Sequence, residues 1–243
     1  MKKLPTIDAQ YWALILSATT LGETAGDLIS MSLNLGYALG SIALVSLFIV
    51  ALAVELNAQV KSAFLYWLVV VLASTSGTTI SDFVTRSLKL GYGWGSLLMI
   101  SILALIFIVW RLSAPSISIN GQLTFKTRAL YWSAILVSST LGTAFGDFLA
   151  NGTSLGFGGG TFLLAGCLLL VGLAAGLTPI PKSLCYWMAI VITHPIGATM
   201  GDYLTKPQGL HLGNVWSSLL LLCIFAFIAI ISRFSASSVR MAG

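Results

Sequence analysis

Charged residues are scarce in this sequence. Only 8% of its 243 residues are Asp, Glu, Lys or Arg, 57% are hydrophobic, and the mean hydropathy is +0.97. A soluble domain usually has about a quarter of its residues charged, so this composition cannot cover a water-facing surface. Several apolar runs reach the roughly 20 residues of a membrane-spanning helix, and they recur to the C-terminus, which excludes a lone signal peptide. We therefore expect a protein that crosses a lipid bilayer several times.

Basic clusters and paired cysteines are also missing. The net charge is +5, but Lys and Arg stand singly near predicted helix ends, so nucleic acid is not an expected partner. The three cysteines, Cys167, Cys185 and Cys223, lie in apolar runs without CxxC spacing. They are expected to be reduced, packed thiols rather than a disulfide or metal framework.

What the sequence does contain is one motif repeated four times. Each copy begins with a Tyr-Trp pair, has a glycine eleven residues after the tyrosine and an aspartate sixteen residues after it, and continues to a Leu-Gly pair. In chain order these residues are Tyr11, Gly22 and Asp27; Tyr66, Gly77 and Asp82; Tyr131, Gly142 and Asp147; and Tyr186, Gly197 and Asp202. A register kept four times indicates an internal repeat.

Each copy is predicted to form two helices. The predicted ranges are 9–30 and 36–55, 64–86 and 91–111, 129–151 and 157–177, then 183–205 and 214–233. We therefore expect an all-α membrane protein with eight transmembrane helices from four parallel two-helix repeats, in a pseudo-twofold or pseudo-fourfold bundle. Copies 2 and 4 share a base four residues after the aspartate, which predicts a first half at 1–113, a linker at 114–124 and a second half at 125–243.

The few basic residues predict an orientation. With these helices, nine Lys and Arg residues fall on the side of the termini and three, Arg86, Lys89 and Lys206, on the other. Basic residues in short loops favour the cytoplasm, so both termini are expected there. The Tyr-Trp pairs would then lie at the cytoplasmic interface, where amphipathic aromatic side chains prefer to lie.

Five of the seven acidic residues lie inside the repeated motif. They are Glu23, Asp27, Asp82, Asp147 and Asp202. Sixteen residues of helix measure about 24 Å, which puts the aspartates at one depth in the outer half of a roughly 30 Å hydrocarbon core. A carboxylate in the membrane costs about 2.5–3.5 kcal/mol on insertion scales, so these side chains should face the protein interior or a wet cavity.

Two interpretations of these acids stay open: a cation-attracting group of carboxylates, or braces for helix ends. Asp82–Arg86 and Asp202–Lys206 are spaced i,i+4, which predicts salt bridges that act as braces or gates. Asp27 and Asp147 have no such base, and Glu23 stands one turn before Asp27. The favoured cation site therefore rests on Glu23, Asp27 and Asp147, with Asp82 and Asp202 as further ligands and with hydroxyls nearby. Those hydroxyls belong to Thr20, Thr24 and Thr140.

Oxygen ligands of this kind suit Mg²⁺, Mn²⁺ or Ca²⁺, although protons or alkali ions would also use carboxylates. His194, which replaces the Ser or Thr of the other copies and precedes Pro195, is a candidate metal ligand or proton relay. The motif glycines are expected to pack helices closely, in small-xxx-small patterns, and not to bind phosphate, since no strand precedes them. They are Gly22, Gly26, Gly77, Gly142, Gly146, Gly197 and Gly201.

The four Gly-x-x-x-[Gly/Ser]-Asp blocks resemble those of a family of bacterial integral membrane proteins that is defined by a repeated segment of unknown function and is sometimes labelled membrane-anchored protein. The last block, from His194 to Pro207 and followed by Leu212-Gly213, carries the resemblance most specifically. Relatives often have Arg-Pro where this chain has His194-Pro195. The resemblance covers almost the whole chain and implies a multi-pass protein of the bacterial inner membrane, with no activity attached.

The function that these residues favour is membrane transport of a cation, with a non-transporting scaffold or regulator as the alternative. An intramembrane protease is a third class, disfavoured because such enzymes use two different aspartate motifs, so no enzyme is expected. A potassium-channel filter is disfavoured because no pore helix precedes the motif. The expected partners are the bilayer and a small cation, with a homo-oligomer left open and no covalently bound cofactor.

Overall fold

The computed structural model describes residues 7–58, 62–114 and 124–241, with side chains up to residue 232. Throughout these ranges the regular structure is helical, as predicted. The helices are α1 (Ala9–Asp27), α2 (Gly36–Asn57), α3 (Ala63–Asp82), α4 (Tyr92–Ser113), α5 (Phe125–Gly152), α6 (Gly156–Leu177), α7 (Lys182–Thr205) and α8 (Gly213–Met241). Short π-helical segments, Leu28–Ser32 and Phe83–Ser87, continue α1 and α3.

Seven of these helices, α2 to α8, are long and apolar enough to cross a membrane. This supports a multi-pass membrane protein. Helix α1 does not reach the same apolar content, because its second half is rich in Ser, Thr and acidic residues, and most of these are buried against other helices. Its role as an eighth span stays a prediction, as does the division into halves. Residues 115–123 of the predicted linker lie outside the described residues.

The first helices of the four copies form the centre of the molecule. Helix α1 packs against α3, α3 against α5, α5 against α7, and α7 again against α1, so that the four close into a ring. The second helix of each copy packs outside, mainly on the inner helix of the following copy: α2 on α3, α4 on α5, α6 on α7 and α8 on α1. The inner helices are therefore surrounded by protein, whereas the outer helices keep much of their apolar surface exposed.

Four tyrosines join the inner helices at one end of this ring. The hydroxyl oxygens of Tyr11, Tyr66, Tyr131 and Tyr186 form a closed cycle of hydrogen bonds, with successive distances of 3.1, 2.8, 3.0 and 2.8 Å. All four residues are buried. Each hydroxyl can donate to one neighbour and accept from the other, so the cycle satisfies four polar groups in apolar surroundings. We call it the tyrosine ring.

An apolar layer follows the tyrosine ring. One turn along each inner helix stands a branched aliphatic side chain, and all four are at most 2% exposed and belong to the same hydrophobic core. These residues are Ile15, Val70, Ile135 and Ile190. The ring of inner helices is therefore closed at the tyrosine end by a layer of paired hydroxyls and a layer of hydrocarbon.

The motif glycines let the inner helices approach one another. A Cβ atom added at Gly142 would lie 2.5 Å from Cβ of His194 and 2.7 Å from its backbone carbon, and one added at Gly77 would lie 2.6 Å from Cβ of Ser139. Gly22 and Gly197 meet Ser74 and Thr19 in the same way. Each partner stands eight residues after the tyrosine of the next copy, so one close contact repeats around the ring.

The Leu-Gly pairs mark the turn that joins the two helices of a copy. Their glycines, Gly36, Gly91, Gly156 and Gly213, all have positive φ, between +63° and +76°. Glycine adopts this conformation without the steric cost that a Cβ would bring. The Leu-Gly pair, which comes two residues later in the fourth copy, therefore places a left-handed residue at the start of each outer helix.

Candidate cation site

The motif acids gather at the end of the inner ring that lies away from the tyrosines. Asp27 and Asp82 are the last residues of α1 and α3, and Asp147 and Asp202 lie in the last turns of α5 and α7. Glu23 stands one turn before Asp27. All five residues are at most 4% exposed. The sequence prediction that these carboxylates face the protein interior agrees with their burial.

Arg86 joins two of the aspartates. Its Nε lies 2.7 Å from Oδ1 of Asp82, and its Nη2 donates to Oδ2 of Asp147 at 2.8 Å. The guanidinium also lies over the rings of Tyr37 and Tyr92, 5.9 and 5.7 Å from their centroids. A planar cation held by two carboxylates and two aromatic rings has little freedom to move, so this half of the site is a fixed ion-pair triad.

Lys206 makes the matching bridge in the other half. Its Nζ donates to Oδ2 of Asp27 at 2.8 Å and lies 3.1 Å from Oδ1 of Asp202. Lys206 directly follows α7 and has an extended backbone. Burial lowers the pKa of its ammonium group, but the carboxylates of Asp202 and Asp27 outweigh that effect and raise the pKa above its ordinary value. Lys206 is therefore a cation at neutral pH.

These bridges reach the two aspartates that have no base on their own helix. Lys206 of the fourth copy binds Asp27 of the first, and Arg86 of the second copy binds Asp147 of the third. The i,i+4 spacing reveals only the half of each bridge that lies within one helix. The contact with the second aspartate depends on which inner helices are neighbours, and the repeat pattern does not determine the order of the helices.

Glu23 is an acid without such a base. Among the described residues no Lys or Arg nitrogen lies within 4.0 Å of it. Its Oε2 accepts hydrogen bonds from Thr143 at 2.7 Å and from Thr78 at 3.1 Å. Gly201 makes room for it, since a Cβ there would lie 2.9 Å from Cβ of Glu23. Glu23 therefore lies between inner helices α1, α3, α5 and α7, one turn below the aspartates.

Three carboxylates form a group that could hold a metal ion. One oxygen each from Glu23, Asp27 and Asp202 lie within 4.8 Å of one another. Oδ1 of Asp27 is buried and has no hydrogen-bond partner among the described residues, so this carboxylate has an oxygen that can still accept a bond. The group differs from the predicted one, because α1 packs beside α7 and this brings Asp202, rather than Asp147, to Glu23 and Asp27.

The predicted threonine ligands are engaged elsewhere. The hydroxyls of Thr20, Thr24 and Thr140 each donate to a carbonyl of their own helix, at 2.8, 3.3 and 3.0 Å, and Thr24 also accepts from Ser218. Thr78 and Thr143 contact the acid instead. A sequence signal for them existed, because both stand twelve residues after their tyrosine, as Glu23 does.

His194 lies away from the three-carboxylate group. Its Nδ1 is 2.8 Å from the carbonyl oxygen of Ile190, and its Cβ packs at Gly142. It is not among the described residues that could share a metal ion with Glu23, Asp27 and Asp202. A role for His194 as a proton relay stays a prediction, and its observed contacts are those of a packed helix residue.

The comparisons with known proteins agree with the repeat. A family model described as Repeat of Unknown Function (DUF347) matches the chain four times, at residues 10–60, 65–115, 130–178 and 185–237. Each match covers most of one inner helix and most or all of the outer helix that follows it, and together they confirm the resemblance seen in the motif. No curated protein and no solved structure matches the chain.

Proposed function

The chain belongs to the family defined by this repeat, whose description gives no activity, and we propose from the geometry of the acids that it transports a cation across the membrane. The cation would bind to Glu23, Asp27 and Asp202. The protein acts as a transporter rather than an enzyme in this proposal, and one chain is sufficient, because its four inner helices already close a ring.

The excess of buried carboxylates carries the proposal. Five acids lie in the motif layer, and two bases, Arg86 and Lys206, contact them among the described residues. Five carboxylates against two bases leave an excess of three negative charges, and Glu23 has no basic partner within 4.0 Å among the described residues. Burying an unpaired charge is costly, and one neutralised by a proton or a metal ion is not. A buried layer with this excess of negative charge should attract cations.

The ligand atoms indicate the class of cation. Carboxylate oxygens are hard donors, and they are the ligands with which proteins hold Mg²⁺, Mn²⁺ and Ca²⁺. Oxygens from three carboxylates, one from each, lie within 4.8 Å of one another, while Thr78 and Thr143 hold the Glu23 carboxylate by hydrogen bonds. A divalent metal ion is therefore the proposed substrate, with protons able to occupy the same carboxylates when the metal leaves.

The proposed topology has eight spans in the bacterial inner membrane, with both termini in the cytoplasm. Helix α1 serves as the eighth span because its polar residues face other helices and not lipid. The tyrosine ring then lies towards the cytoplasm and the acids towards the outside. The basic side chains of Arg86 and Lys206, which are 29% and 20% exposed, lie between the buried acids and the solvent at that end.

Transport can be tested with purified protein in liposomes. Uptake of Mn²⁺, Mg²⁺, Ca²⁺ and protons is followed with indicators enclosed in the vesicles, and wild type is expected to carry at least one divalent ion. Glu23→Gln and Asp27→Asn should abolish this uptake. Glu55→Gln is a matched control, since Glu55 pairs with Arg128 at 2.6 Å near the tyrosine end, and it should retain uptake. Unchanged uptake in the first two variants would show that these acids do not carry the ion.

A non-transporting scaffold is the second candidate, and the fixed triad of Asp82, Arg86 and Asp147 favours it. In that case the acids hold helix ends together and no ion enters. A scaffold should melt at the same temperature with and without divalent cations, whereas a transporter with the proposed site should be stabilised by the ion that it binds.

A further inference from the structure

We propose that the ammonium group of Lys206 is a resident cation of the three-carboxylate site, and that a divalent metal ion enters by displacing it from Asp27 and Asp202. Lys206 is then the residue that determines selectivity for divalent over monovalent ions, while Arg86 stays in place as a brace. This inference rests on the proposed function and adds to it the means of selection.

The ammonium group occupies the ligands of the site itself. Asp27 and Asp202 supply two of the three grouped carboxylates, and Nζ of Lys206 lies within 2.8 and 3.1 Å of them. It leaves Oδ1 of Asp27 unpartnered within the described residues, although that atom is buried. One positive charge thus faces three carboxylates, and it fills the group incompletely. A metal ion that bound all three would share oxygens with Lys206.

The side chain of Lys206 can leave the carboxylates more easily than the side chain of Arg86 can. Lys206 lies just beyond the last residue of α7, where backbone hydrogen bonds from Gly209 to Lys206 and from Leu210 to Tyr203 hold the main chain. Its side chain is a flexible stem with a strongly hydrated ammonium group, which can leave for water without loss of helix structure. Arg86 instead lies inside the helical segment Phe83–Ser87, with separate nitrogens on two aspartates.

Charge decides which ions can replace a tethered ammonium group. A monovalent ion that displaced Lys206 would bring one charge for one charge, and it would compete against a group held at high effective concentration. A divalent ion brings a second charge, which the remaining carboxylate of the three can use. The site with Lys206 present should therefore reject Na⁺ and K⁺ and accept a divalent ion.

Binding of Mn²⁺ to the purified full-length protein tests this, with and without excess Na⁺. Wild type should bind Mn²⁺ with little effect of Na⁺. Lys206→Met removes the competitor, so Mn²⁺ should bind at least about tenfold more tightly, and Na⁺ should now weaken it. Arg86→Met is the matched control from the other half, and it should lower thermal stability without tighter Mn²⁺ binding.

A second measurement uses the wild-type protein and does not depend on a variant that folds. Reductive methylation modifies free amines, and mass spectrometry reads each lysine separately. Mn²⁺ should raise the modification of Lys206 severalfold, because it releases the ammonium group, while Lys126 and Lys182 stay unchanged as internal controls. Methylation of Lys206 that Mn²⁺ leaves constant or lowers would overturn the inference.

The outcomes separate this inference from the proposed function. If wild type binds Mn²⁺ and Lys206→Met binds it equally or more weakly, Lys206 does not compete with the metal ion. In that case only the inference fails. If wild type and Lys206→Met both fail to bind Mn²⁺, Mg²⁺ or Ca²⁺, the proposed function fails and the inference falls with it. Binding in Lys206→Met alone would overturn the inference, because a divalent ion would then not displace Lys206 in the native protein.

Discussion

At the scale of single residues, Glu23 differs most from its counterparts. The same position of the other copies holds Thr78, Thr143 and Ala198, and the two threonine hydroxyls contact the Glu23 carboxylate. The two hydroxyls both donate to Oε2, and they lie 3.3 Å from each other. This small cluster fixes the orientation of the acid without neutralising it.

Thr143→Val tests the contribution of this contact to stability. The variant removes the shorter hydrogen bond to a buried carboxylate, and it should lower the free energy of unfolding by about 1–3 kcal/mol. Thr140→Val is the control, because Thr140 donates only to a carbonyl of its own helix and should change stability by less than about 1 kcal/mol. Denaturant titration in detergent compares the two, and equal losses would contradict a special role for Thr143.

Arg86 provides a second prediction at this scale. Arg86→Met leaves the carboxylates of Asp82 and Asp147 buried without their base, which should cost about 3–5 kcal/mol. Arg86→Lys should recover only part of that loss, since a single ammonium group cannot place two nitrogens on two aspartates. Thermal melts of the three proteins give the order. A Lys variant as stable as wild type would show that the two-nitrogen contact is unimportant.

The sequence predicted the acids of the site and the bases one turn after Asp82 and Asp202, and it missed the bonds from those bases to Asp147 and Asp27. The sixteen-residue spacing from tyrosine to aspartate identified the four aspartates, and Glu23 followed from its spacing to Asp27. The cross-ring bonds from Lys206 to Asp27 and from Arg86 to Asp147 were invisible, because they join residues 179 and 61 positions apart. Only the packing order of the helices determines such pairs.

At the scale of helices, close approach depends on residues without side chains. Gly142→Ala would force a methyl group against the backbone of His194, and Gly166, on α6, has nothing within 4 Å of an added Cβ. We expect Gly142→Ala to destabilise the protein by about 1–3 kcal/mol. Gly166→Ala should be neutral or slightly stabilising, because alanine favours helix more than glycine does. Calorimetry of both variants would measure the difference in melting temperature. Similar melting temperatures would argue against a close contact between Gly142 and His194.

Helix bounds were predicted to within four residues, except that α8 continues to Met241 and not to 233. Apolar length located the outer helices, and polar residues that accept from the first turn start several inner ones. Asp8, Ser62 and Thr124 each accept a hydrogen bond from the backbone nitrogen three residues on. Helix α1 departs from the membrane pattern because its polar side chains contact other helices, and hydropathy cannot distinguish that from exposure to water.

At the scale of the whole molecule, the tyrosine ring couples all four copies at once. Tyr131→Phe removes one hydroxyl, so Tyr66 and Tyr186 each lose a partner in an apolar interior. A loss of about 1–3 kcal/mol is expected. Tyr203→Phe, on an exposed residue, should change stability by less than about 0.5 kcal/mol. Unfolding followed by tryptophan fluorescence distinguishes them, since Trp132 stacks edge-on beside Tyr131.

The repeat predicted a pseudo-twofold or pseudo-fourfold bundle, but its spacing does not determine that the inner helices close into a ring. Four parallel copies can line up in a row or close on themselves, and both arrangements have the same spacing in the sequence. Closure requires the packing of α1 on α7, which joins the first copy to the last. The pairs of close contacts at the glycines and at the tyrosine hydroxyls repeat across that junction as they do elsewhere. The motif residues therefore join the first copy to the last in the same way as they join the other copies.

The single glutamate between the inner helices has a consequence for the number of ions that one chain can bind there. Four identical subunits around one axis must place either four acids or none at a given central position, and four carboxylates there would repel one another strongly. Joining the copies in one polypeptide releases that restriction, so a lone acid can stand where symmetry would forbid it. The stoichiometry of any ion bound through Glu23 is therefore one per chain, although the architecture around it is fourfold.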